Sequence, residues 1–195
     1  MDDKQTRAHN TLITNIRKPG AADHDYYATD PRAVDLLLEA ELFDSDTPIW
    51  EPACGEGHIS EALKQYGYKV RSTDLVDRGY PGAETGVDFL ELQEPTWQGD
   101  IITNPPFNCA GEFVSKALDS VADGRRVAMF LKLTFLEGQK RRELFRRYPP
   151  QTVYVSSARL ECGKNGKFTG SSAVAYVWII WRKGYAGPTE LRWIN

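Results

Sequence analysis

Ile49-Trp50-Glu51-Pro52-Ala53-Cys54-Gly55-Glu56-Gly57-His58-Ile59-Ser60 runs from an apolar stretch through a Gly-x-Gly turn into a helical pattern. It reads as strand, glycine loop and helix, the unit with which open α/β sheets build ligand sites at strand carboxyl ends. Gly55 and Gly57 let the chain turn tightly and bring backbone close to a ligand. The third glycine of a dinucleotide fingerprint is absent, since Ser60 holds its place, and Glu51 and Glu56 would repel a pyrophosphate. The loop therefore suits a ligand with an ammonium or sulfonium, held by carboxylates and backbone, rather than an anionic cofactor. Cys54 within it reads as small apolar filler.

Downstream, the apolar run Asp100-Ile101-Ile102-Thr103 leads into Asn104-Pro105-Pro106-Phe107. Two consecutive prolines fix φ and remove two N–H donors, so nearby carbonyls turn outward instead of entering a ladder. The Asn104 side-chain oxygen and a neighbouring main-chain carbonyl can then accept both protons of an exocyclic NH2, and Phe107 offers a face on which a base stacks. A turn that merely ends a strand would read the same way locally.

The two motifs together resemble the cofactor and catalytic motifs of S-adenosylmethionine-dependent N6-adenine DNA methyltransferases. The resemblance implies an α/β, Rossmann-like class I methyltransferase fold. It would have seven mostly parallel strands, helices on both faces and an antiparallel last strand, over roughly residues 25 to 184. It also implies S-adenosyl-L-methionine as cofactor, with Glu51, Ala53, Gly55, Gly57 and Asn104 around it. Lys69 to Asp74 reads as a second strand ending in an acid, and Asp74 would hold the ribose hydroxyls; an acid about 20 residues past a glycine loop has that geometry independently of the family. A plain strand-end cap is the other reading. Asp88 would accept from the cofactor adenine N6, with the Phe89 backbone nearby and its ring against the purine. The segment Asp25-Tyr26-Tyr27-Ala28-Thr29-Asp30-Pro31 resembles the family's aromatic-x-Thr-x-Pro element, so that Tyr27 and Thr29 close over the methionine end. Asp30 or Thr29 equally caps a helix with Pro31 at its first position and Val34, Leu37, Leu38 and Leu42 on its apolar side.

On this reading Asn104, Pro105 and Phe107 are catalytic, and Pro106 and Phe107 line the base pocket. The element order resembles the gamma arrangement of DNA adenine methyltransferases, which usually append a target-reading domain. Residues 108–195 are consumed by a fifth strand (125–132), a helix (135–147), a sixth strand (152–156) and a seventh (173–181), which leaves recognition to a partner subunit or a second copy. The expected organisation is a polar N-terminal extension over residues 1–24 and one catalytic domain over 25–195. The glycine-rich connection Leu160 to Ser172 places Phe168 either as an aromatic clamp opposite Phe107 or as a core residue.

The chain has 195 residues, 41% hydrophobic, and a net charge of −3. No run approaches 18 apolar residues, so no membrane span or secretory signal is expected and the location expected is cytoplasmic. Cys54, Cys109 and Cys162 are widely spaced, and His9, His24 and His58 lack ligand spacing, so neither disulfides nor a metal site is expected. The charge is polarised: residues 1–100 hold 9 Lys/Arg against 20 Asp/Glu, and residues 101–195 hold 15 against 7. Lys132, Lys140, Arg141, Lys164 and Lys167 lie in the basic half beside the base-binding motif, where phosphates are the natural ligands and a solvated helix face is the alternative. DNA is thus the expected partner and RNA the second. Protein glutamine amides, which present the same planar NH2, and a non-catalytic nucleic-acid-binding subunit complete the alternatives. A small enzyme of this kind serves restriction-modification, a phage or housekeeping equally well.

Overall fold

The structure is a computed structural model that describes residues 26–164, 166, 168 and 172–195. In chain order its elements are β1 (Tyr27–Thr29), α1 (Pro31–Ala40), β2 (Ile49–Glu51), α2 (His58–Gln65), β3 (Val70–Asp74), β4 (Ala83–Thr85), β5 (Asp100–Thr103), α3 (Ala110–Ser120), β6 (Arg126–Lys132), α4 (Arg142–Arg147), β7 (Thr152–Ser156), β8 (Cys162–Lys164), β9 (Tyr176–Arg182) and β10 (Glu190–Ile194). The main sheet runs β10-β7-β9-β6-β5-β2-β3-β4, and β1 pairs with β8 in a separate two-stranded sheet. Among the described residues, β9 alone runs antiparallel in the main sheet, against β6 and β7.

Period-2 alternation builds both faces of this sheet. Trp50, Ile101, Val127, Met129, Val177, Ile179 and Trp181 pack with Phe113, Val114, Ala117 and Leu118 of α3. Ile49, Ile102, Ala128, Phe130, Trp178 and Ile180 pack with Ala33, Val34 and Leu37 of α1 and Ile59 and Leu63 of α2. Nearly continuous apolar strands such as β6 and β9 are what a sheet covered on both faces requires. Helix α1 begins as its sequence indicates: the Asp30 carboxylate accepts from Arg32 N at 3.0 Å, with Pro31 in the first turn.

Four features depart from the sequence reading. The sheet has eight strands rather than seven, because β10 adds a parallel edge strand beyond β7. The helix expected over 135–147 is broken into 3-10 turns at Leu133–Leu136 and Gln139–Arg141 before the short α4. Gly138 at φ 103 interrupts it, and the Arg141 guanidinium binds the carbonyls of Thr134, Phe135 and Glu137 that a continuous helix would use. Leu42 lies past the end of α1 and is 88% exposed instead of packed. The last long strand begins at Tyr176 rather than at 173.

Candidate active site

Strand β2 lies between β3 and β5, so the chain leaves β2 toward one side of the sheet and later returns on the other. The crevice outside the carboxyl ends at such a reversal is where open α/β sheets bind ligands. Two loops open into it here, Pro52–Gly57 after β2 and Asn104–Phe107 after β5.

The glycine loop is braced from below. Asp74, at the end of β3, accepts Gly55 N at 2.8 Å and Val76 N at 2.9 Å through different oxygens. A carboxylate offers about four acceptor sites, so these two bonds leave capacity for hydroxyls. The cap reading of Asp74 is thus realised in a geometry that also suits a ribose contact. Glu51 is buried, and its carboxyl accepts from the Ser60 hydroxyl, which lies 2.6 Å from Ser72 Oγ. Burial pushes its pKa well up, against the hydrogen bonds from Ser60, and nearby Asp74 adds to the rise. Glu51 therefore ties β2 to α2 and favours its neutral form, unlike the charged carboxylate on which the sequence reading rests. The Cys54 thiol is likewise pushed up by burial and by the neighbouring acids.

Both loop glycines are required, at φ 55 for Gly55 and φ 83 for Gly57. A Cβ at Gly55 would run into the Tyr26 ring, and one at Gly57 into the Tyr80 ring. Tyr26 is thus a site residue that the motif reading missed. Its hydroxyl accepts from Glu56 N at 3.2 Å, and the Arg78 guanidinium lies 4.5 Å from its ring centroid.

Asn104 is fixed from the other side by β1. Its Nδ2 donates to Tyr27 O at 3.0 Å and to Thr29 Oγ1 at 3.0 Å, with Cys162 Sγ at 3.7 Å. Tyr27 O accepts only, so the amide nitrogen must face it, which settles the orientation of the side chain. The opposite atom, Asn104 Oδ1, is buried and has no hydrogen-bond partner among the described residues, and Thr103 Oγ1 beside it is in the same condition. Orphaned buried acceptors are rare, and a catalytic role, strain or a bound water or ion accounts for them. Burial pushes the Cys162 thiol up to about 12, so it stays protonated. The antiparallel pairing of Thr29 with Cys162 holds these partners in place.

The Phe107 ring sits in an aromatic and cationic surround: Tyr27 at 5.2 Å, Tyr176 at 5.9 Å, and the Lys132 ammonium 4.4 Å from its centroid. Lys132, at the end of β6, is therefore part of the site. Phe168 is not in the core. It is 42% exposed and meets His58 edge-on at 5.7 Å, beside the glycine loop. Phe89 also departs from expectation. Its ring is 2% exposed, packed between Trp50 at 5.2 Å and Phe113 at 5.1 Å, so it is a core ring rather than a wall for a purine. Asp88 is half-buried and accepts Leu90 N at 3.0 Å, which turns the chain at the crevice edge. Ala53 is half-buried, Pro105 is buried, and Pro106 starts the 3-10 turn Phe107–Cys109.

Among the basic candidates, Lys140 is exposed, whereas Arg141 is committed to the carbonyls of the preceding turn and lies over the Phe135 ring at 4.5 Å. Lys167 and the Lys164 side chain lie outside the described residues. Among the described residues no group of three or more His, Cys, Asp and Glu side chains could hold a metal ion, and no helix is long and apolar enough to cross a membrane.

Neither the models of known protein families nor the curated proteins give a match to the chain. Solved structures do. A type I restriction-modification methyltransferase subunit from Streptococcus thermophilus superposes with TM-score 0.62 at 17% identity, over 83% of this chain and 46% of that one. A Listeria monocytogenes protein assigned provisionally to the class I S-adenosylmethionine-dependent methyltransferases gives TM-score 0.60 at 12% identity, over 90% and 68%. The 23S rRNA methyltransferase ErmE gives TM-score 0.56 at 17% identity, over 83% and 71%. The chain spans about half the length of the restriction-modification subunits it matches. With the sheet order and the single antiparallel strand, these superpositions show that the chain has the Rossmann-like fold of the class I methyltransferases.

Proposed function

We propose that the chain is an S-adenosylmethionine-dependent methyltransferase that modifies the exocyclic N6 amino group of adenine in DNA, its catalytic domain running from residue 25 to 195. The observation that carries this reading is Asn104 Oδ1, a buried acceptor without a partner whose amide is held in one orientation by Tyr27 O and Thr29 Oγ1. The cofactor would supply an electrophilic methyl group on a sulfonium. The residues at the sheet's carboxyl edge fit such a molecule: a glycine loop without the third glycine of an anion site, Asp74 with spare acceptor capacity for ribose hydroxyls, and Asp88 at the crevice edge. Tyr27, Thr29, Glu51, Ala53, Gly55 and Gly57 would form the rest of its surround.

The residues of the chain would then act on the base. An aromatic amine is a poor nucleophile because its lone pair is delocalised into the ring. Asn104 Oδ1 and the Pro105 carbonyl accept hydrogen bonds from its two protons and draw the nitrogen toward a tetrahedral, more nucleophilic form. Phe107 stacks on the extruded base, which cannot be reached inside the duplex. The methylated nitrogen is acidic enough to lose its proton to water, so a neutral Asn suffices and no strong general base is needed. Lys132 and Lys140 would meet phosphates, and a partner or second copy would supply target recognition.

RNA adenine is the second reading. The resemblance to both a restriction-modification subunit and a 23S rRNA methyltransferase keeps it in view. The test is incubation with methyl-labelled cofactor and, separately, duplex DNA, single-stranded DNA, ribosomal RNA and cell protein, followed by digestion and mass spectrometry. Label in N6-methyldeoxyadenosine is the expected outcome. Label in N6-methyladenosine moves the substrate to RNA, label in methylglutamine moves it to protein, and cofactor binding with no label in any substrate overturns the enzymatic reading.

A further inference from the structure

The two edges of the main sheet are unlike. At one edge β4 is three residues long, set between Pro81-Gly82 and Gly86. Short, glycine- and proline-flanked edges are how sheets avoid pairing with other chains. At the other edge β10 runs five residues in unbroken register with β7, from Glu190 opposite Thr152 to Ile194 opposite Ser156, and carries neither proline nor lysine. Leu191 is 51% exposed and Trp193 is 67% exposed, both on one face of this strand. Among the described residues nothing pairs with its outer side.

The hydrogen bonds of β10 say which groups face outward. Glu190 N donates to Gln151 O at 2.9 Å, and Ile194 O accepts from Ser157 N at 3.1 Å. In a ladder, alternate residues point their N–H and C=O to the same side, so Glu190, Arg192 and Ile194 face β7 while Leu191 and Trp193 direct theirs outward.

We propose that this edge is a self-association surface: two copies of the chain pair β10 with β10 antiparallel about a twofold axis through Leu191. That register makes Leu191 and its copy a hydrogen-bonded pair and sets Glu190 directly opposite Arg192 of the other copy, twice. Those are the non-hydrogen-bonded positions, where side chains approach most closely. The two residues already form an ion pair within one strand, Arg192 Nη2 to Glu190 Oε2 at 2.5 Å, and exchange that partner for its equivalent across the axis. A register centred on Arg192 would put two guanidiniums face to face, and one centred on Trp193 would set Arg192 opposite Ile194 instead of a carboxylate. Charge thus selects a single register. Pairing about a twofold uses up both β10 edges and, among the described residues, leaves the short β4 edges of the main sheets outside, so association stops at the dimer.

The test is sedimentation velocity on the full chain over a concentration series, with Glu190→Arg and Arg192→Glu variants alone and mixed. The wild type is expected to dimerise with increasing concentration. Each variant alone carries two like-charge pairs across the axis and is expected to weaken self-association about tenfold. Their mixture restores both opposite-charge pairs and is expected to dimerise as the wild type does. A Leu191→Cys variant provides a second check, since a hydrogen-bonded antiparallel pair lies within disulfide range and should cross-link under mild oxidation. A wild type that stays monomeric throughout, or variants that associate no better mixed than alone, would overturn the proposal. The readout is mass, so it stands or fails independently of the methyl-transfer reading.

Discussion

Replacement of Thr29 by Val tests whether β1 orients the catalytic amide. Thr29 is 3% exposed, and its Oγ1 is one of two oxygens that accept from Asn104 Nδ2 at 3.0 Å. Val preserves shape and removes the acceptor, leaving one N–H of a buried amide without its oxygen at a cost of about 1–3 kcal/mol. Tyr27 O still disfavours the reversed amide, so the lower part of that range applies. At about 1.4 kcal/mol per tenfold in rate, single-turnover methyl transfer should fall roughly tenfold. Thr29→Ser keeps the hydroxyl and should transfer at near the wild-type rate. The assay is rapid quench with labelled cofactor at saturation, alongside an independent measurement of the cofactor Kd. Transfer by Thr29→Val at the wild-type rate, or a loss accounted for entirely by a raised cofactor Kd, would refute the orienting role.

Three further outcomes are expected. Burial raises the Glu51 pKa above its unfolded value, so the stability it contributes is complete below about pH 4.5 and declines as pH rises toward the raised value. Thermal unfolding of Glu51→Gln should therefore lose less Tm than wild type between pH 5 and pH 8, the wild-type slope being at most about 1.4 kcal/mol per pH unit from this group. Parallel pH profiles would show that Glu51 titrates normally. Gly55→Ala forces a Cβ into the Tyr26 ring at φ 55 and should cost about 1–3 kcal/mol in denaturant unfolding, with part of the loss recovered by adding Tyr26→Ala. Lys132→Met removes the cation beside Phe107 and should raise the KM for nucleic acid while lowering the salt slope of binding by about 1; an unchanged slope would place Lys132 outside the phosphate contacts.

Local signals carried most of the fold. The glycine loop, the Asp30-Pro31 helix start and the apolar runs of β5 and β6 each follow from residues close together in sequence and stand where their patterns indicate, and the β9 run does so apart from its later start. The broken helix after Leu133 depends on Gly138 and on one guanidinium reaching back to three carbonyls, which helical periodicity does not encode. Strand β10 does alternate, with Leu191 and Trp193 between polar neighbours, but both of these are exposed and of its five residues Ile194 alone is buried, so no apolar run marks it. At the site, the motifs place Asn104, Phe107 and Asp74 at the carboxyl ends of β5 and β3 from local sequence alone. Tyr26, Cys162 and Tyr176 were not legible in this way, because they reach Gly55, Asn104 and Phe107 only through the β1–β8 pairing and the start of β9. The Phe89 ring lies in the core and the Phe168 ring outside it for the same reason: a ring's neighbours are set by tertiary packing, not by the motif that contains it.

The central claim, that Asn104 Oδ1 accepts from the target amine, is tested most directly by Asn104→Ala under single-turnover conditions, with cofactor binding measured on the same preparation. The account predicts a cofactor Kd within a few-fold of wild type and a loss of methyl transfer of about 10²–10³ or more, the scale of removing one preorganised polar contact at a reacting centre. Methyl transfer at a near-normal rate with cofactor still bound would contradict it.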